Sequence, residues 1–92
     1  MGDAIFRDIC LDEVARAALD EASLLFSRVY DAHAGLEWRL CRRPEDGVSR
    51  AGYYVYKQLG IKGLRIPTIT VLYTYDANRV TIKRLAFQVA EG

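Results

Sequence analysis

The chain has 92 residues, of which 51% are hydrophobic and 27% charged, with seven glycines and two prolines. This is the length of one domain spanning the whole chain, and such a chain buries roughly 60–65% of the surface that its unfolded form exposes. The composition lies in the ordinary globular range and does not read as disorder, and the short core leaves little room for a deep pocket.

The net charge of +1 hides an asymmetry. Met1–Glu37 holds three basic and eight acidic residues, whereas Trp38–Gly92 holds ten and four. A basic second half favours an anionic partner, and the competing explanation is that the two halves neutralise each other within the fold. Cys10 and Cys41 belong to no CxxC pair or metal-ligand cluster, so they read as small buried residues in a reducing compartment. The chain opens with no basic stretch followed by an apolar run, and no apolar run approaches the ~20 residues of a membrane span. The expected location is the cytoplasm, with no membrane partner.

Residues 3–9 form a candidate leading strand. From Leu11 the pattern changes, with Leu11, Val14, Ala15, Ala18, Leu19, Ala22, Leu25, Phe26 and Val29 recurring at steps of three and four. That spacing predicts one amphipathic helix. Gly35 is expected to interrupt or end it, with a second helical piece over Leu36–Arg42 that Pro44 stops. Residues 53–58 (Tyr-Tyr-Val-Tyr-Lys-Gln) read as a strand. Gly60 and Gly63 bracket a loop carrying Lys62, and Pro67 opens the next strand. Ile69, Val71, Tyr73 and Tyr75 then share one face, while Thr68, Thr70, Leu72 and Thr74 share the other. The cluster Asp76-Ala77-Asn78 predicts a turn, with a left-handed conformation open to Asn78, before a last strand over Arg79–Leu85. Helices segregate from strands, which predicts an α+β fold: two N-terminal helices packed on a small antiparallel sheet of three to four strands.

Several chemistries find no support in the pattern. His33 is the only histidine, and no Cys/His cluster accompanies it, so no metal site is expected. No phosphate loop, GxGxxG or GxSxG motif occurs, so no cofactor is expected. Cations and tyrosines remain. Lys57, Lys62, Arg65, Lys83 and Arg84 are expected to converge on one side of the sheet, and Tyr54, Tyr56, Tyr73 and Tyr75 lie on the same strands. Cations neutralise phosphates and aromatic faces stack on bases, whereas the structural reading makes these tyrosines core and rim residues. A cationic site also cleaves RNA without metal: the 2′-hydroxyl attacks the neighbouring phosphate, a base takes its proton, and cations stabilise the transition state.

Leu36-Glu37-Trp38-Arg39-Leu40, followed by Arg43-Pro44 and Gly47, resembles the second-helix ending of the RelE/ParE toxin superfamily. Gly52-Tyr53-Tyr54-Val55-Tyr56-Lys57 is similar to that family's first meander strand, and the run from Leu64 to Asp76 to its central strand. Arg79-Val80-Thr81-Ile82 is similar to the strand after it. The resemblance spans roughly residues 11–85 and implies the toxin of a type II toxin–antitoxin module. One branch of that family cleaves messenger RNA on the ribosome as a metal-independent endoribonuclease, another poisons DNA gyrase, and a cognate antitoxin neutralises both. By resemblance, Lys57 and Arg65 bind phosphate, Arg84 stabilises transition-state charge, and Lys62 is a secondary contact. Lys83, Tyr73 and Phe87 are the further candidate substrate contacts. The chain departs from the family after Arg84, where Leu-Ala-Phe-Gln-Val-Ala-Glu-Gly holds no Tyr or His and leaves only Phe87 for stacking. The alternative from another class is a non-enzymatic protein-interaction module with a basic sheet face.

Overall fold

The computed structural model describes residues 6–91 of the protein. Five strands and two helices follow in the order β1 (Asp8–Leu11), α1 (Glu13–Ala22), α2 (Val29–Arg42), β2 (Val48–Arg50), β3 (Tyr53–Gln58), β4 (Thr68–Tyr75) and β5 (Arg79–Gln88). Short 3-10 turns occupy Pro44–Asp46 and Lys62–Leu64. The two helices pack against one face of a five-stranded sheet ordered β1-β5-β4-β3-β2. The fold class is therefore α+β, but the sheet is larger than the three to four strands expected, and it is mixed. β1 runs parallel to β5, and the other neighbours are antiparallel. A parallel neighbour needs a long crossover, and the helices together with the meander supply it.

The expected leading strand lies partly outside the described residues; within them, strand begins at Asp8. β2 is a further addition, because a three-residue exposed edge strand carries no apolar alternation to detect. Ala51 and Gly52 join it to β3, both at positive φ (49° and 87°). Two such residues make the tight hairpin connection whose twist matches its strands. Left-handed backbone is thus found there and at Arg65, not at Asn78. The 76–78 turn is held instead by the Asp76 carboxylate, which accepts from the Asn78 and Arg79 amides at 2.8 and 2.9 Å.

The single long helix of the sequence reading is two helices. α1 ends at Ala22, and the Ser23 hydroxyl donates back to the Asp20 carbonyl. Phe26 and Val29 still pack with Leu19 and Ala22, so the apolar spacing runs unbroken through the connection and conceals it. Gly35 lies inside α2 on its exposed side, and neither ends nor interrupts it. Packing of Leu36 and Leu40 in the core outweighs the weak helix propensity of one glycine.

Alternation along β4 decides which sheet face is covered. Ile69, Val71 and Tyr73 are fully buried and meet Ala15, Ala32, Leu36 and Leu40 of the helices, together with Val80 and Ile82 of β5. Thr70, Leu72 and Thr74 point the other way, and no helix among the described residues covers them.

Candidate functional site

The uncovered sheet face is built by strand register. Arg84 on β5 lies across from Leu72, Leu72 from Val55, and Val55 from Val48. The neighbouring row is Ala86, Thr70 and Lys57. Arg50 pairs with Tyr53 further along the edge. The result is a floor of aliphatic and threonine side chains with Lys57 and Arg84 standing on it. Two strand spacings and a two-residue offset separate their Cα atoms by about 12 Å. Both are exposed, and neither pairs with a carboxylate among the described residues.

A β-bulge shapes this pair. The β4–β5 register shifts between Leu72 and Tyr73, so Lys83 is the extra residue on β5. Bulges redirect side chains, and here the two adjacent cations take different roles. Lys83 reaches Asp12 at the head of α1, with Nζ 3.3 Å from the carboxylate. The Arg84 guanidinium donates to the Lys83 carbonyl at 2.8 Å and stays on the surface. Lys83 thus forms an ion pair between helix and sheet, the one salt bridge among the described residues that joins the acidic half of the chain to the basic half.

The five cations do not converge. Lys62 and Arg65 lie in and just after the 3-10 turn between β3 and β4, and line a cavity of about 370 Å³ with Leu25, Phe26 and Ser27 of the α1–α2 connection. That cavity is on the helix side of the sheet. The hairpin pattern predicted that strand pairing brings all five to one side of the sheet, but the turn carries two of them around the sheet end.

Two of the aromatic candidates are structural. Tyr73 is 0% exposed, because odd positions of β4 face the helices, and its hydroxyl donates to the Pro44 carbonyl. Burial pushes its phenol up to about 12. Phe87 lies across from Ile69 on the same covered face and packs against the cluster under α1, so its ring does not reach the open face. Tyr54, Tyr73 and Tyr75 form one aromatic cluster with centroids 4.8–6.4 Å apart, and the Arg7 guanidinium sits 5.5 Å over Tyr75.

The open face offers charge, hydroxyls and one phenol, Tyr53, which is partly exposed beside Arg50. Among the described strands the open face carries one carboxylate, Asp8 at the β1 edge across from Arg79, and no imidazole; none stands on β2, β3, β4 or the Thr81–Gln88 part of β5. His33 is far from it in the fold, buried on α2 with Nε2 lacking a hydrogen-bond partner. Burial, and then the Arg16 charge, lower its pKa. Glu37 approaches its Nδ1 to 3.5 Å, and burial raises that carboxyl's pKa while the Arg16 charge lowers it. Among the described residues, no group of three or more His, Cys, Asp or Glu side chains is placed to hold a metal ion. The face is therefore suited to bind an anion and to stabilise developing negative charge, and it supplies little for proton transfer.

Sequence reasoning missed Arg50 as a neighbour of this face, whereas strand alternation over residues 53–58 does set Tyr53 on the side of Lys57. The Ala-Gly pair before Tyr53 was the available signal for the hairpin that puts Arg50 there. No family model and no curated protein matches the sequence.

Proposed function

We propose that the protein is the toxin component of a type II toxin–antitoxin module, of RelE/ParE type, which acts in the cytoplasm by seating ribosome-bound messenger RNA on its open sheet face. The observation that carries this reading is the pair Lys57 and Arg84, both exposed and both on the side of the sheet that no helix covers among the described residues, in a strand–helix–helix–meander order. Lys57 holds a backbone phosphate, and Arg84, whose fork of donors matches phosphate geometry, stabilises charge on the scissile one. Thr70 and Thr74 line the path between the strands, and Tyr53 offers a stacking face at its edge. In the cleavage step the 2′-hydroxyl gives its proton to solvent as its oxygen bonds to phosphorus, and the bond to the 5′-oxygen breaks as that oxygen takes a proton from water, which leaves a cyclic phosphate and a 5′-hydroxyl. A cognate antitoxin belongs to the same reading, and β2, the exposed one of the two edge strands, offers an edge for strand addition.

The scarcity of proton-transfer groups on the open face favours a second reading, in which the same face binds without cleaving, either DNA gyrase or an acidic protein.

Binding of a labelled single-stranded RNA, followed by fluorescence anisotropy at several salt concentrations, tests the first reading. Wild type is expected to bind, and each lost phosphate contact flattens the salt slope by about 0.7. Lys57→Gln with Arg84→Gln is therefore expected to reduce the slope by about 1.4 and to weaken binding at low salt, with melting temperature unchanged. Equal affinity and slope in that double variant overturn the assignment.

A further inference from the structure

The cavity that holds Lys62 and Arg65 is not used by the function proposed above. Its floor and walls come from Phe26, Ile66, Pro67 and Ala90, with Leu25 and Val89 at the rim. Leu25 and Val89 are 78% and 72% exposed, which places them among the most exposed large apolar residues of the described chain. The polar lining is Ser27 and the two cations. Neither cation lies within salt-bridge distance of a carboxylate among the described residues. An apolar hollow bordered by two positive charges suits an apolar body with an anionic head.

The backbone at Arg65 is a second, independent observation. Its φ of 57° and ψ of 34° are left-handed, a conformation that costs a side-chain-bearing residue and is free to glycine. The turn enforces it. Ile61 and Ile66 exchange backbone hydrogen bonds at 2.9 and 3.1 Å across its neck, and the Arg65 amide donates to the Lys62 carbonyl at 3.1 Å. Strain of this kind clusters at ligand sites, and here the turn sets Arg65 among the residues that line the cavity.

We propose that this cavity binds an aliphatic carboxylate, its head between Lys62 and Arg65 and its chain against Phe26, Ile66 and Pro67. A volume of about 370 Å³ takes a chain of about ten carbons at ordinary packing density. A nucleotide fits the lining less well: Phe26 is its one aromatic side chain, and Ser27 its one hydroxyl for reading a base or sugar edge.

The test is calorimetric titration of the full chain with hexanoate, octanoate and decanoate, each below its micelle concentration, beside decanol, acetate and AMP. Decanoate is expected to saturate a single site, with affinity rising about fourfold for each methylene added from hexanoate. Decanol, acetate and AMP are expected to bind at least tenfold more weakly. Arg65→Gly removes both the guanidinium and the strain, so it is expected to weaken decanoate binding at least tenfold while the melting temperature holds or rises. That combination separates a lost contact from a damaged fold. Absence of saturation by decanoate, decanol or AMP binding as tightly, or unchanged decanoate affinity in Arg65→Gly, overturns the proposal.

Discussion

Tyr73 separates a structural from a functional tyrosine, and replacing it with phenylalanine tests the distinction. The change removes one oxygen from a side chain that is fully buried and whose hydroxyl donates to the Pro44 carbonyl. The ring keeps its packing, including the stacked contact with Tyr54 at 5.8 Å between centroids. The loss is therefore the hydrogen bond alone, with Pro44 still buried and its carbonyl left without that donor. An unsatisfied buried acceptor costs about 1–2 kcal/mol. In a chain of this size each kcal/mol moves the melting temperature by about 4–8 °C, so circular dichroism is expected to record a fall of about 5–15 °C. The phenol also titrates differently when folded. Its pKa is raised from 10.0 to about 12, so its contribution is complete below pH 10 and is lost as pH rises toward 12. Wild type should accordingly lose its advantage over Tyr73→Phe across that window. A coupled variant sharpens the test, because a Cβ at Gly47 meets the Tyr73 hydroxyl. Gly47→Ala is expected to destabilise wild type more than it destabilises Tyr73→Phe, where that oxygen is gone. RNA affinity at pH 7 should be unchanged in folded Tyr73→Phe. An unchanged melting temperature with a large loss of RNA binding would refute the structural role.

Three further outcomes follow from the backbone and the buried histidine. Ala51→Asn relieves a left-handed alanine in the β2–β3 turn and makes the pair Asn-Gly, so chemical denaturation should show a gain of about 0.5–1 kcal/mol; a loss would contradict the turn geometry. Gly35→Ala meets nothing within 4 Å on the exposed side of α2 and should stabilise by about 1 kcal/mol in the same assay. His33 has a folded pKa below 6.5, so the unfolded chain binds the proton more readily and stability falls as pH drops through about 6.5. Arg16 and Glu37 are the charged groups identified near it, and they act in opposite directions on its charged form. His33→Leu should remove that slope between pH 7 and 5, and an identical slope in both proteins would contradict a buried neutral imidazole.

The parts of the fold that were legible are those where burial imposes a period. The strand over 53–58 matches β3, and the alternation of Ile69, Val71 and Tyr73 gives the covered face of β4 directly. The paired edges were less legible. β1 is four residues long and β2 three, and neither carries enough alternation to separate strand from loop. The helix break at residues 23–28 was hidden because Phe26 and Val29 serve the same apolar cluster as Leu19 and Ala22, and a continuous core leaves no interruption in the spacing. The candidate site was legible as composition and not as arrangement. Cations on and between paired strands were expected on one side of the sheet, yet the bulge ties Lys83 to Asp12 while the 62–65 turn carries Lys62 and Arg65 to the other side of the sheet. Tyr73 illustrates the same point: a residue type suited to stacking is placed by strand parity in the core.

The most direct test of the central claim is a map of messenger RNA 5′ ends in cells shortly after induced expression. The account predicts new 5′-hydroxyl ends at codon positions in wild type, absent when Lys57→Gln and Arg84→Gln are combined in a chain that melts normally. Growth arrest without new ends, or the same ends in the double variant, would contradict it.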